Sequence, residues 1–224
     1  MPKLVLFDID NTLLWSGGAG GKAMNLAFRD LFGIDDGFAR VEFSGRTDRS
    51  IFAEGLRLHR IQGDEDVLLQ QFMEQYFSLL PTALSETTGR LMPGFPQLLE
   101  ALQRRLDVWL GLATGNFRRS GYLKLARYGV DSFFPDGGFG EESEERADIV
   151  RAAVERLAPG LDMTDVVVVG DTPHDVDSAL AWGAVAVGVA TGRHSVDDLK
   201  ACGAHLTFSD FADWEGTADA LLAG

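Results

Sequence analysis

The chain has 224 residues, of which 46% are hydrophobic and 24% are charged, and its formal net charge is −14 at pH 7. This composition is that of a globular protein with a sizeable core, which excludes a disordered or low-complexity chain. Because acidic residues outnumber basic ones and no basic cluster stands out, we expect no binding to nucleic acid or to anionic membranes.

The N-terminal apolar run, residues 4–7, ends at Asp8. It is too short for the core of a signal peptide and far too short for a membrane-spanning helix. Cys202 is the only cysteine, so no intramolecular disulfide can form. We therefore expect a soluble, cytoplasmic protein, and the sequence does not indicate its oligomeric state.

Short apolar runs and helical patterns alternate along most of the chain. Almost continuous apolar residues predict four buried strands, at 4–7, 108–113, 166–169 and 185–189. Apolar residues at helical spacing predict helices around 98–102, 122–126 and 149–157. Strands that alternate with helices are typical of a parallel sheet, so we predict an α/β fold with a doubly wound, Rossmann-like sheet.

One segment, residues 19–80, interrupts this alternation with helical periodicity and no strong strand. The pattern predicts a helix that stops at Gly33 and another that begins at the possible caps Thr47 and Asp48. A third helix is expected from about Asp66 to the residue before Pro81. We therefore predict an all-helical cap, residues 16–90, inserted into a core made of 1–15 and 91–224. The glycines and prolines at its borders are candidate hinges, or simply turns.

The first predicted strand ends in two carboxylates, Asp8 and Asp10, which Asn11 and Thr12 follow. Ligands bind at the carboxyl ends of strands in an open parallel sheet, and carboxylates two residues apart suit a divalent cation. Read alone, such a pair is more typical of a turn in which the side chains cap backbone amides. A calcium site of the EF-hand type is excluded, because the sixth position of the loop is Leu13 instead of glycine.

A second acidic segment, residues 170–175, follows the strand at 166–169 and contains Asp171 and Asp175. A purely structural interpretation is that Asp171 caps the helix that begins near Pro173. However, carboxylates that converge from two strands repel one another unless a cation neutralises them. Oxygen ligands beside an anionic substrate indicate Mg²⁺ as that cation.

The strand at 108–113 ends in Thr114, Gly115 and Asn116, where a hydroxyl and free backbone amides meet before a helix. Such an arrangement can bind a phosphate, and it is also the ordinary geometry of a helix start without a ligand. The motif therefore supports phosphate binding through its position.

Other enzyme classes lack their motifs in this chain. A P-loop is excluded, because Ser16 stands where its first glycine belongs and Ala23 where its magnesium-binding hydroxyl belongs. No Gly-x-Ser-x-Gly, His-Glu-x-x-His or paired Cys-x-x-Cys motif occurs, so serine hydrolase and zinc-site interpretations have no support.

Together these segments resemble the haloacid dehalogenase superfamily of phosphotransferases, and the resemblance extends over nearly the whole chain. Residues 8–12 are similar to its first motif, Thr114 to its second, and residues 170–175 to its fourth. The resemblance implies that Asp8 attacks phosphorus to form an aspartyl phosphate, while Asp10 acts as general acid and then general base. Related dehalogenases and phosphonate hydrolases lack the second aspartate, so Asp10 favours hydrolysis of a phosphate ester.

The resemblance also implies the ligands of a Mg²⁺ cofactor. These are the carboxylates of Asp8 and Asp171 and the backbone carbonyl of Asp10, with Asp175 as a further ligand or as support.

The third motif departs from the family, which usually places a lysine, often before proline, between the second and fourth motifs. Arg146 lies where that lysine is expected, as in phosphoglycolate-phosphatase-like members, and it could contact the nucleophile and the phosphate. Lys124 is the competing candidate, and we favour Arg146. Arg46, in the cap, is a candidate contact for a substrate carboxylate or a second phosphate, or part of an ordinary turn.

The resemblance implies a magnesium-dependent phosphatase acting on a small-molecule phosphomonoester, with phosphoglycolate as one candidate. A sugar-phosphate mutase of the same superfamily is the first alternative. A phospho-accepting binding module without hydrolytic turnover is the second.

Overall fold

The computed structural model describes residues 2–223. In chain order its strands are β1 (Lys3–Phe7), β2 (Leu14–Trp15), β3 (Arg90–Leu91), β4 (Val108–Ala113), β5 (Gly137–Gly138), β6 (Val166–Gly170), β7 (Val185–Val189) and β8 (Leu206–Phe208). Its α-helices are α1 (Ala19–Phe32), α2 (Asp48–His59), α3 (Glu65–Glu86), α4 (Gln97–Gln103), α5 (Arg118–Arg127), α6 (Arg146–Leu157), α7 (Pro173–Leu180), α8 (Val196–Ala201) and α9 (Trp214–Leu222). Among residues 2–223, none of the helices combines the length and apolar composition that a bilayer span requires.

Six strands form one parallel sheet in the order β5-β4-β1-β6-β7-β8. The four strands predicted from apolar runs are present, and the predicted α/β class is confirmed. The edge strands β5 and β8 were not predicted, because β5 consists of two glycines and β8 is only partly buried. Strand β1 lies between β4 and β6, so its carboxyl end is at the middle of the sheet edge.

Helices cover both faces of the sheet. Val5 and Phe7 of β1 pack in the cluster that contains residues of α4, α5 and α9. Leu4 and Leu6 pack on the opposite face in the cluster that contains residues of α6, α7 and α8. Since both faces are buried, side chains of both orientations must be apolar, which explains the nearly continuous apolar runs.

The helices α1, α2 and α3 form a separate apolar cluster, and we refer to residues 16–90 as the cap. An antiparallel pair, β2 with β3, lies where the chain leaves the core and returns to it. Phe117 belongs to the core sequence, yet its ring packs against Tyr76 and Phe77 of α3. The cap therefore lies against the carboxyl edge of the sheet at the start of α5.

The predicted limits of the cap helices hold at three of four places, including the start of α3 at Glu65, one residue from the prediction. Gly33 ends α1 in a left-handed conformation (φ 70°), and Thr47 caps α2 by accepting a hydrogen bond from the Ser50 amide. The expectation that α3 stops before Pro81 is wrong, because α3 continues to Glu86 with Pro81 inside it. Proline removes one backbone hydrogen bond, but the buried side chains on both sides of it hold the helix together.

Candidate active site

Three buried carboxylates meet at the carboxyl ends of β1 and β6. Asp8 follows β1 directly, and its amide donates to the carbonyl of Val169 in the neighbouring strand at 2.9 Å. Oxygen atoms of Asp8, Asp171 and Asp175 lie within 4.8 Å of one another. Parallel pairing of adjacent strands therefore brings together residues that are far apart in the sequence.

This grouping is electrostatically unfavourable without a cation. Burial raises the pKa of Asp8 to about 7, an effect that the charge of Arg146 opposes. Burial also raises the pKa of Asp171 to about 9, and the charges of Asp175 and Asp8 add to the shift. This buried group of carboxylate oxygens fits a hard divalent cation such as Mg²⁺, which would compensate both their burial and their mutual repulsion.

Asp175 is already occupied by protein donors. Its Oδ2 accepts hydrogen bonds from the amide and hydroxyl of Thr172, which form the capping box of α7. Its Oδ1 pairs with the guanidinium of Arg146. The helix cap expected at Asp171 is thus supplied by Thr172 and Asp175, which leaves Asp171 free of that task.

Arg146 is the first residue of α6 and is almost fully buried against the carboxylates. Its Nη2 lies 3.4 Å from Oδ1 of Asp8 and also contacts Asp175. Burial lowers the pKa of Arg146, but the charges of Asp175 and Asp8 outweigh this and raise it above its usual range. The guanidinium is therefore a permanent positive charge beside Asp8.

Lys124, the competing candidate, is also in the site but faces the other aspartate. From α5, its Nζ donates to Asp10 Oδ2 and to Asn116 Oδ1, each at 2.5 Å. Asn116 donates to the same Asp10 oxygen at 2.9 Å and to the hydroxyl of the buried Thr114 at 2.9 Å. Burial lowers the pKa of Lys124, but the charges of Asp10 and Asp48 raise it more. The two cations thus serve different carboxylates.

These side chains lie at a cavity of about 350 Å³ between the sheet edge and the cap. Most of the predicted site residues line it: Asp8, Asp10, Arg46, Gly115, Asn116, Arg146 and Asp171. Thr114 and Asp175 are not among the lining residues and lie beneath them.

The sequence model of the family described as "haloacid dehalogenase-like hydrolase" matches residues 2–183. The chain belongs to this family. The predicted family and the predicted enzyme class, a hydrolase, are therefore confirmed.

Members of the haloacid dehalogenase-like family that resemble this chain over its whole length include two curated proteins. One, from Dickeya dadantii, is named probable phosphatase IndB and is 30% identical, covering 99% of this chain and 96% of that protein. The other, from Rhodospirillum rubrum, is named phosphoglycolate phosphatase and is 29% identical, covering 96% and 92%. A solved hydrolase structure from Pseudomonas syringae has a TM-score of 0.74 at 20% identity, covering 98% and 99%, and supports the fold.

In this haloacid dehalogenase-like chain the cap contributes a carboxylate that the sequence did not assign to the site. Asp48, named above only as a possible helix cap, accepts hydrogen bonds through Oδ2 from the Phe117 amide at 3.0 Å and the Ser120 hydroxyl at 3.2 Å. Its amide donates to the Gly115 carbonyl at 2.7 Å. Burial raises the pKa of Asp48 to about 6. No local motif distinguishes this aspartate from an ordinary residue of a first helical turn.

Gly115→Ala should disturb the contact between cap and core. A Cβ at Gly115 would overlap the carbonyl group of Arg46 and approach the Cα of Thr47, both backbone atoms that cannot rotate away. We expect kcat/KM for a phosphate ester to fall about tenfold or more, since small displacements at a reacting centre have large kinetic effects. Gly21→Ala is the matched control, because its Cβ would meet only a Phe43 ring carbon at 3.8 Å. Equal activity in both variants would contradict this role of Gly115.

Proposed function

We propose that the protein is a magnesium-dependent phosphatase that hydrolyses a small phosphomonoester through an aspartyl phosphate on Asp8. The observation that carries this proposal is the buried group of Asp8, Asp171 and Asp175 with Arg146 against it. A nucleophilic carboxylate beside a cation site and a fixed guanidinium is suited to a phosphoryl group, which carries negative charge throughout its transfer. The names of the two relatives support the same activity.

The proposed reaction has two steps. An oxygen of Asp8 attacks phosphorus, the bond from phosphorus to the leaving oxygen breaks, and protonated Asp10 gives its proton to that oxygen. Asp10 then takes a proton from water, the water oxygen attacks phosphorus, and the Asp8 carboxylate leaves. Asp10 suits this task because its side chain is 38% exposed and lines the cavity next to Asp8.

The carboxylates of Asp8 and Asp171 and the backbone carbonyl of Asp10 would hold the Mg²⁺. Asp175 would support the site, since both of its oxygens already have partners. The ion would supply positive charge against the phosphoryl oxygens.

Two cations, one polar side chain and a backbone segment would position the reacting groups. Arg146 would take the place of the family's usual lysine and keep Asp8 oriented toward phosphorus. Lys124 and Asn116 would hold one oxygen of Asp10, which leaves the other for proton transfer. The backbone at Gly115, which lines the cavity above the buried Thr114, would receive the phosphoryl group at the start of α5.

A direct test is phosphate release from purified protein with a generic aryl phosphate and a panel of natural phosphate esters, in Mg²⁺ and in EDTA. We expect sustained release of phosphate that requires Mg²⁺. Phosphoglycolate belongs in the panel because the sequence resemblance and the name of the Rhodospirillum rubrum relative both suggest it as a substrate. Release without Mg²⁺, or none at all, would contradict the proposal. A mutase would convert a sugar phosphate with little net release, and a phospho-accepting module would stay phosphorylated.

Stability should depend on pH and on Mg²⁺ together. The pKa values of Asp8 and Asp171 are raised from 3.8 to about 7 and about 9, so the folded protein holds protons that the unfolded chain loses. Stability from these groups is complete below about pH 4 and is lost as the pH rises through 7 and then 9. In EDTA the melting temperature should therefore fall between about pH 6 and pH 9.

Mg²⁺ at 100 times its dissociation constant should add about 2.7 kcal/mol to the free energy of unfolding. The gain should be larger at the higher pH, where the carboxylates are ionised. Thermal denaturation followed by circular dichroism measures both effects. Asp171→Asn should weaken the pH dependence of the melting temperature and remove most of the stabilisation by Mg²⁺. Full stabilisation by Mg²⁺ in that variant would exclude Asp171 as a ligand.

A further inference from the structure

The cap side of the cavity would hold the alcohol that leaves when the phosphate ester is cleaved. Its lining includes one basic, one acidic and one phenolic side chain, two serines and several apolar side chains: Arg46, Asp48, Tyr76, Ser16, Ser44, Met24, Phe43 and Ile51. Their charges and free hydrogen-bonding groups determine which alcohol fits.

Within residues 2–223, every basic side chain that lines the cavity already has a carboxylate partner. Arg193 at the rim pairs with Glu42 at 2.9 Å, and Lys124 and Arg146 pair with the core aspartates described above. Arg46, two residues before α2, pairs through Nη1 with Glu54 of that helix and donates through Nη2 to the Ser50 carbonyl at 3.1 Å. A carboxylate in the substrate would therefore find no uncompensated positive charge.

A negative charge on the leaving group would also meet repulsion. Asp48 lines the cavity from the cap, and both of its hydrogen bonds from the core go to Oδ2. A second carboxylate near it would lose its hydration and face a like charge, and both effects weaken its binding. The Arg46 guanidinium could offset this only if Glu54 were displaced.

The same part of the cavity contains a hydrogen-bonding group without a partner. Tyr76 of α3 is fully buried, lines the cavity, and its hydroxyl makes no hydrogen bond to any described residue. Unpaired buried hydroxyls are costly, and a ligand hydroxyl would relieve the cost. Such a ligand group could also donate to Asp48.

Resting on the proposed phosphatase function, we propose that the substrate's leaving group is an uncharged, hydroxyl-bearing alcohol and that Glu54 excludes carboxylates by neutralising Arg46. Tyr76 and Asp48 bind the hydroxyl. Phosphoglycolate is then a poor substrate, although the core of the site would bind its phosphate equally well.

Two nearly isosteric substrates test this inference: 2-hydroxyethyl phosphate, which ends in CH₂OH, and phosphoglycolate, which ends in a carboxylate. The wild-type protein should favour 2-hydroxyethyl phosphate by about tenfold or more in kcat/KM. Glu54→Gln should shift that ratio toward phosphoglycolate by about tenfold, because Arg46 becomes available. Tyr76→Phe should shift it in the same direction by lowering the rate with 2-hydroxyethyl phosphate.

Asp66→Asn is the matched control for Glu54→Gln, since it removes one negative charge from an exposed residue of the cap that pairs with Arg49. It should leave the ratio unchanged. A wild-type preference for phosphoglycolate, or an unchanged ratio in Glu54→Gln, would overturn the inference while leaving the phosphatase function intact. If neither substrate nor an aryl phosphate releases phosphate, the proposed function itself fails.

Discussion

Asp8→Asn is expected to abolish phosphate release, with a loss of about 10⁴-fold or more in kcat, because an amide cannot act as the attacking group. The change is nearly isosteric and removes one of three mutually repelling buried carboxylates, so the protein should fold. Phosphate release measured with an aryl phosphate, together with circular dichroism, separates loss of chemistry from loss of structure.

A labelling experiment extends this prediction. Brief incubation of the wild-type protein with a ³²P-labelled ester and acid quenching should trap an acid-stable label that is lost at alkaline pH, as an acyl phosphate is. Asp8→Asn should carry no label. Asp107→Asn, an exposed position before β4, serves as the control and should behave like the wild type. Labelling of Asp8→Asn would exclude Asp8 as the nucleophile.

Asp10→Asn should lower kcat by about 10²- to 10⁴-fold for alkyl phosphates, the range typical of a lost general acid or base. The first step should suffer much less for an aryl ester whose leaving group is stable without a proton. The second step still needs a base, so the phosphorylated protein should accumulate.

A burst of the released phenol followed by slow turnover would measure that accumulation. Lys124→Met is an informative comparison, because it removes one of the two partners that hold Asp10 Oδ2 while leaving the acid itself. The Lys124→Met variant should also lose more kcat with alkyl than with aryl esters, but its loss of kcat should be smaller than that of Asp10→Asn. Equal losses with alkyl and aryl esters in Asp10→Asn would contradict proton donation by Asp10.

The predicted core strands agree with the structure because their sequence signal is local. Each is a short run with both faces buried, so every position must be apolar. Strands β5 and β8 lack this signal, since one consists of two glycines and the other is only partly buried at the sheet edge. The predicted end of α3 before Pro81 was wrong for a related reason. Proline inside a helix removes a backbone hydrogen bond and often ends the helix, but buried side chains on both sides of Pro81 keep α3 continuous.

In the site, the sequence predicts where the aspartates lie but not which cation contacts which aspartate. The location of Asp8, Asp10, Asp171 and the segment after β4 could be predicted, because each lies within three residues of the end of a strand and the carboxyl ends of parallel strands share one edge. The sequence favours Arg146 over Lys124 for the third motif, but it gives no separate role to Lys124, which lies inside α5. The fold places both, one against Asp8 and the other against Asp10.

The α/β core and the position of the aspartates after the strands could be predicted from the sequence, because periodicity and position after a strand are properties of neighbouring residues. The ion pairs of the site, in contrast, could be identified only from the folded chain. It brings Asp48 and Tyr76 from the cap into the cavity and pairs Arg46 with Glu54. These contacts depend on how the cap packs against the sheet edge. They join residues that are far apart in the sequence, so no local sequence pattern predicts them.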